Sequence, residues 1–237
     1  MIRGRTVVIG IGLAIAVITC ARLGFWQLSR LAEKKRLNAD RRAAFAAPPL
    51  ALGDTIVADT LAGRVVSVRG QYDNARHVLL AGRTHDGEPG VEVLTPLMRR
   101  GGIAILVDRG WLGAEQPVDA HPEHSADPGE RDVRGVVEML PPARGATLRP
   151  TARDSITLLL ALRLDPDTLT ARFPYPVARF TIRELPGRGV GPVPLRTPPE
   201  PLDESVHLGY AVQWFAMATI IAGGSIALGL RKRPNAA

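Results

Sequence analysis

Hydrophobic residues fall in two different patterns along this chain. Residues 6–28 form an apolar run broken by a single charge, Arg22, and residues 208–230 form a second run with none. Each run is 23 residues long. At ~1.5 Å rise per residue that gives roughly 34 Å, enough to cross a hydrocarbon core of about 30 Å. Backbone polar groups find no water there, so both runs are predicted to be helices. Between them the apolar residues come in short, loosely alternating stretches. Strands are predicted over 65–72, 77–81, 91–97, 103–112, 132–140, 156–164 and 177–185. The turn signals between them are Asp73-Asn74, Asp86-Gly87, Pro89-Gly90, Gly101-Gly102, Pro128-Gly129 and Pro141-Pro142. The charged stretch 31–42 continues the first helix until Pro48-Pro49 ends it, since proline cannot extend the hydrogen-bond ladder. Asp165-Pro166-Asp167 opens a short helix reaching about Arg172, because Asp caps and Pro fits the first turn.

The predicted fold class is an α+β membrane protein. A two-helix transmembrane hairpin carries one mostly antiparallel β-rich extracytoplasmic domain, curled into a sandwich or barrel. The expected boundaries are a span over 6–28, the β-rich domain over 31–185, a Pro-rich tether over 186–206 and a second span over 208–230. The stretch 186–201 holds six prolines and three glycines, which predicts an extended chain. Phe25 and Trp26 close the first span, and Tyr210, Trp214 and Phe215 open the second. A hairpin brings these ends to one interface, where amphipathic rings settle. Gly12 and Ala16, and Ala218 and Ala222, are small pairs four apart that permit close helix contact.

Charge refines this picture. The formal net charge is +7, yet the stretch from Glu33 to Glu204 is neutral, holding all 23 acidic residues and an equal number of basic ones. The surplus is Arg3, Arg5, Arg22, Arg30, Arg231, Lys232 and Arg233. It flanks apolar runs instead of covering a folded face, which argues for a lipid bilayer and against nucleic acid. The contrast between Arg231-Lys232-Arg233 after the second span and Asp203, Glu204 and His207 before it puts both termini in the cytoplasm. Arg30, Lys34, Lys35 and Arg36 after the first span point the other way and are outweighed. The first run is too long for a signal-peptide core and no A-x-A site closes it, so it reads as a retained span. No long Arg/Ser-rich presequence is visible, which favours a bacterial plasma (inner) membrane. The single cysteine, Cys20, lies within the first span, so no internal disulfide or CxxC pair exists.

Candidate chemistry is sparse. No G-x-S-x-G elbow, P-loop or H-E-x-x-H occurs, and no enzyme is expected. His121-x-x-His124, beside Asp119, Glu123 and Asp127, is an incomplete metal set and reads first as a solvated loop. His207 opens the second helix, with Tyr210, Trp214 and Ala218 following on roughly the same face. A neutral imidazole there is either an interfacial anchor or a ligand for haem iron or copper. Arg109 and Trp111, around Gly110, are either a docking surface or part of a buried Arg–carboxylate clasp under a bulge.

Four segments together resemble the Surfeit locus protein 1 family of cytochrome c oxidase assembly factors. They are Leu23-Gly24-Phe25-Trp26-Gln27-Leu28 with Arg30 and Lys34, Gly90-Val91-Glu92-Val93-Leu94-Thr95-Pro96-Leu97, Ile105-Leu106-Val107-Asp108-Arg109-Gly110-Trp111, and His207-Leu208-Gly209-Tyr210-Ala211-Val212-Gln213-Trp214-Phe215. The family usually has Asn in place of Asp108. The stretches 117–129 and 186–201 have no counterpart in this resemblance. It implies a non-enzymatic role in the biogenesis of haem-copper oxidases, with the oxidase catalytic subunit and other assembly factors as partners. It also implies transient binding of haem a through His207, whose site Trp26, Tyr210 and Trp214 would line. The alternative is a membrane-tethered interaction scaffold without cofactor.

Overall fold

The structure is a computed structural model that describes residues 2–53, 60–141, 147–153, 155–187 and 189–231. Pro142, expected to stop a strand, and Lys232 and Arg233, used for orientation, lie outside the described residues. The chain divides into a helical unit, residues 1–42 with 201–237, and a β unit, residues 43–200.

Helix α1 runs unbroken over Ile2–Ala46, so the first span and the charged stretch after it are one helix that stops just short of Pro48-Pro49. Helix α3 spans Ser205–Arg231. Both are long and apolar enough to cross a membrane. Within the helical unit α1 and α3 pack as an antiparallel pair. On α1 the buried positions Cys20, Gly24, Gln27 and Leu31 recur at alternating spacings of four and three, and Asn38 follows one heptad later. This is the seam of a coiled-coil contact. On α3 the matching face carries Ala211 and Ala218. Gly24 allows a close contact: a Cβ there would lie 2.7 Å from the Phe215 ring, which meets Phe25 edge to face with centroids 5.2 Å apart. Gly12, expected to be a contact position, faces open space. Beyond the apolar part the seam turns polar. Asn38 donates to the Leu202 carbonyl and the Glu204 carboxylate and accepts from the Leu202 N–H, while Lys34 donates to the Asp203 carbonyl.

Among the described residues the β unit contains nine strands: β1 (Leu50–Ala51), β2 (Val65–Tyr72), β3 (Arg76–His85), β4 (Glu88–Met98), β5 (Ala104–Gly113), β6 (Glu130–Met139), β7 (Arg149–Arg153), β8 (Ile156–Ala161) and β9 (Val177–Glu184). Their order is β1-β2-β6-β9-β5-β4-β3-β8-β7. β4 also pairs back onto β2 through Gln71↔Met98 and Tyr72↔Leu97, closing β2, β6, β9, β5 and β4 into a small barrel. Most pairings are antiparallel; β1–β2, β3–β8 and β5–β9 are parallel. Register shifts in the β3–β4, β4–β5 and β5–β9 pairings bend the strands, as closure requires.

Side-chain alternation fills the barrel. Val66, Val68 and Tyr72 of β2, Val133 and Val137 of β6, Ile105 and Val107 of β5, and Phe180 and Ile182 of β9 share one core. Leu106, on the opposite face of β5, joins a second core with Val78, Leu94, Leu159, Leu169 and Phe173. Asp86 and Gly87 both have positive φ, making a two-residue hairpin that extends β3 and β4 to meet each other. Pro89-Gly90, read as a turn, therefore lies within β4. Helix α2 (Pro166–Thr170) begins as expected, with the Asp165 carboxylate accepting the Thr168 N–H at 2.9 Å, but ends earlier than Arg172.

Candidate functional site

The first turn of α3 presents His207 to the α1 seam. Its Nδ1 lies 2.7 Å from Oε1 of Gln27, whose side chain sits in the seam and is 9% exposed. A carbonyl oxygen can only accept, so Nδ1 carries the proton and donates. In the neutral ring Nε2 then keeps its lone pair, and it has no hydrogen-bond partner among the described residues. Trp26 and Tyr210, both about half exposed, project away from the seam; Trp26 lies under the Arg30 guanidinium at 5.7 Å. Trp214 is partly buried. No ring contact joins His207 to these three aromatics among the described residues. They share its end of the helical unit instead of forming a closed cage.

The β unit holds the other candidates. Arg109 points into the barrel and its side chain is 1% exposed. Nη2 donates to the Ser125 carbonyl at 2.5 Å and to Oδ2 of Asp127 at 2.8 Å, and the guanidinium stands 5.0 Å from the Tyr72 ring centroid. This is a buried Arg–carboxylate clasp. Burial pushes the Arg109 guanidinium pKa down, and burial followed by the Glu184 charge pushes the Tyr72 phenol up. Asp108 faces the other way, accepting the Gly110 N–H at 2.9 Å with Arg183 at 3.6 Å. Burial, then the neighbouring Glu92 charge, raises its pKa from 3.8 to about 7.

Gly110 explains why a Gly follows Arg109. Its φ is +109°, and a Cβ there would run into the Leu195 carbonyl oxygen. Trp111 and Leu195 exchange backbone hydrogen bonds of 2.9 and 2.6 Å. The next residue, Arg196, is buried and pairs with Glu184 at 2.9 Å. The proline-rich stretch, expected as an extended tether, is thus strapped to the barrel at Leu195 and Arg196. The Trp111 indole lies over Gly90, where a Cβ would collide with Nε1, and next to His85 at 5.4 Å.

A cavity of about 570 Å³ opens beside the clasp, with Arg109, Asp119, His121, His124, Asp127 and Val193 in its wall. His121 precedes and His124 lies within a 3₁₀ turn over Pro122–Ser125, a geometry that eclipses residues three apart. Their rings stack at 4.9 Å, and with Glu123 they bring three ligand atoms within 4.8 Å of one another. The Arg153 guanidinium already sits against this group, 3.1 Å from His121 Nδ1 and 3.4 Å from Glu123 Oε1. It supplies there the positive charge a metal ion would bring.

Comparison with known proteins then settles the kinship. The family model described as the SURF1 family matches residues 14–219, taking in the α1 seam, the whole barrel and His207. The chain belongs to the SURF1 family. A SURF1-like protein of Rickettsia felis is 26% identical over 204 residues, 83% of this chain and 85% of that protein. The cytochrome oxidase assembly protein SHY1 of Saccharomyces cerevisiae is 27% identical over 157 residues, 64% of this chain and 40% of the yeast protein. Surfeit locus protein 1 of Mus musculus is 28% identical over 137 residues, 51% of this chain and 45% of the mouse protein. The match thus spans less than half the length of the yeast and mouse relatives.

Gln27, Glu184 and Arg196 were not singled out from sequence. Gln27 stands in a motif that carries the family resemblance, but its partner is 180 residues away. No local pattern connects the two.

Proposed function

We propose that this chain is a non-enzymatic assembly factor for cytochrome oxidase that holds haem a transiently and passes it to the oxidase catalytic subunit. Other oxidase assembly factors would be its further partners. The reading rests on the SURF1 family match, on the yeast relative's name, and on one observation above all: His207 offers an unengaged Nε2 from a ring fixed through Nδ1. Neutral imidazole with one nitrogen committed to a hydrogen bond suits an axial haem ligand. The donor chemistry therefore fits the group. Haem a would supply an iron that accepts the Nε2 lone pair and a large apolar ring suited to a membrane interface. The chain's own part is to present His207 with Nε2 free. Trp26, Tyr210 and Trp214 offer aromatic surface at the same end of the helical unit, and the lipid bilayer completes the surroundings.

The placement follows from the same reading. The two helices cross a bacterial inner membrane, both termini lie in the cytoplasm, and the barrel stands outside it. The test is an absorbance spectrum of detergent-purified protein co-expressed with haem a synthesis, for wild type and His207→Ala. A haem a spectrum in wild type that is lost in the variant supports the proposal. Haem-free protein in both cases refutes it and leaves a scaffold that binds oxidase subunits without cofactor.

A further inference from the structure

The seam residue opposite His207 determines which of its nitrogens is available. We propose that Gln27 is a positioning residue: its side-chain carbonyl selects the Nδ1–H tautomer of His207 and so turns Nε2 into the ligand atom. This inference rests on the haem reading given above.

A neutral imidazole carries one N–H, on either Nδ1 or Nε2. Nδ1 lies 2.7 Å from Oε1 of Gln27, a separation at which one of the two atoms must hold a proton. Oε1 has none, so Nδ1 holds it and Nε2 keeps its lone pair. If an apolar residue stood at position 27, nothing in the seam would favour that tautomer. The Nε2–H form, which cannot ligate a metal through Nε2, would then compete.

Burial makes this choice firm. Gln27 is 9% exposed and lies on the same α1 face as Gly24 and Leu31, so water competes poorly for its carbonyl. The Gly24–Phe215 contact one turn away holds the helices at the separation the hydrogen bond needs. Such outer partners of ligating histidines typically contribute 10- to 100-fold in affinity.

The identity of the residue carries a second consequence. A Glu at position 27 would also accept from Nδ1, but its charge would make the imidazole a stronger ligand. It would also stabilise the imidazolium, which cannot ligate. A neutral amide orients the ring without adding donor strength. That suits a protein that must release its cargo.

The experiment uses full-length, detergent-solubilised protein labelled with 15N-histidine, as wild type, Gln27→Met and Gln27→Glu, with His207→Ala to assign the signal. Met keeps the seam filled while removing the acceptor; Glu keeps an acceptor. In haem-free protein, at a pH alkaline enough to keep the imidazole neutral in every variant, His207 should show a protonated Nδ1 and a bare Nε2 in wild type and Gln27→Glu. Gln27→Met should shift it toward the Nε2–H form. Haem a titration should then give about 10- to 100-fold weaker binding for Gln27→Met. Gln27→Glu should bind at least as tightly as wild type and release haem more slowly. A purely packing role would reverse this order, with Met tolerated and Glu damaging. If wild type binds haem and Gln27→Met matches it in tautomer and affinity, the role of Gln27 is refuted while the haem reading stands. If wild type binds no haem a, the functional reading falls and the role assigned to Gln27 falls with it.

Discussion

Asp108→Asn should stabilise the β unit at neutral pH and leave it nearly unchanged near pH 4. Asp108 is buried on β5, accepting the Gly110 N–H at 2.9 Å, and its ion pair with Arg183 is long at 3.6 Å. Burial first, then Glu92, raises its pKa from 3.8 to about 7. The folded state therefore holds the proton more tightly than the unfolded state. Between pH 4 and 7 the folded chain binds more protons, so stability falls as pH rises, and the penalty is complete above pH 7. Asn has the carbonyl oxygen that Gly110 needs and no charge to bury, and it is the residue the family resemblance leads one to expect here. At about 1.4 kcal/mol for each tenfold change in proton affinity, the full displacement bounds the gain at roughly 4 kcal/mol. That displacement already contains the Arg183 attraction; an effective dielectric above that of dry protein leaves on the order of 2–3 kcal/mol.

The assay is thermal unfolding of both proteins in detergent, followed by the β-sheet circular dichroism signal at several pH values from 4.5 to 8. For a unit of this size the gap in Tm should widen by roughly 5–10 °C across that range, in favour of Asn. His77 also titrates here, but it is present in both chains and cancels in the difference. Parallel profiles would refute the reasoning, because they would mean that Asp108 ionises in the folded state without cost.

Other perturbations test the remaining contacts. Glu184→Gln strips the buried Arg196 of its counter-charge and should cost about 3–5 kcal/mol, measured by denaturant unfolding. It should also speed proteolysis within 186–200. Gly110→Ala forces a side chain into a φ of +109° and against the Leu195 carbonyl, so it should release the same segment and change Trp111 fluorescence. Thr95→Val leaves His77 Nδ1, now 3.0 Å from the Thr95 hydroxyl, without its donor and should cost roughly 1–3 kcal/mol. Burial, then the Arg109 charge, lowers the His77 pKa from 6.5 to about 4, so its contribution is fully present above pH 6.5 and is lost as pH falls toward 4. Wild-type His77 should accordingly remain neutral by NMR at pH 5.5. Gly24→Leu should push Phe215 aside, loosen the α1–α3 pair and weaken haem a binding in step with Gln27→Met.

Local patterns in the sequence carried most of the elements and little of their assembly. All seven predicted strands occur, because each combines apolar alternation with a turn signal beside it. β7 was missed because Arg-Pro-Thr-Ala-Arg has no apolar face; it pairs at the sheet edge through its backbone and stays largely exposed. Closure of the barrel was not legible either. It depends on the end of β4 meeting the end of β2, a pairing that hydrophobic periodicity does not encode. The proline-rich stretch shows what composition leaves open. Its composition does favour extended chain, but extended chain can hydrogen-bond to a strand, and Leu195 does so against Trp111.

The same distinction between local pattern and long-range pairing governs the two sites. Arg109 and His207 are both recognisable as residues worth attention, yet what each can do is decided by a partner far along the chain. Asp127 and Ser125 both take up Nη2 of Arg109 and so tie the 3₁₀ turns to the barrel, while its buried Nε and Nη1 have no hydrogen-bond partner among the described residues. Gln27 occupies one nitrogen of His207, and the other has no hydrogen-bond partner among the described residues. A guanidinium has only donors, so its spare groups call for acceptors or anions; an imidazole held through one nitrogen can keep a lone pair. On the haem reading proposed above that lone pair is what would bind, whereas the Arg109–Asp127 and Arg196–Glu184 pairs tie neighbouring segments to the barrel.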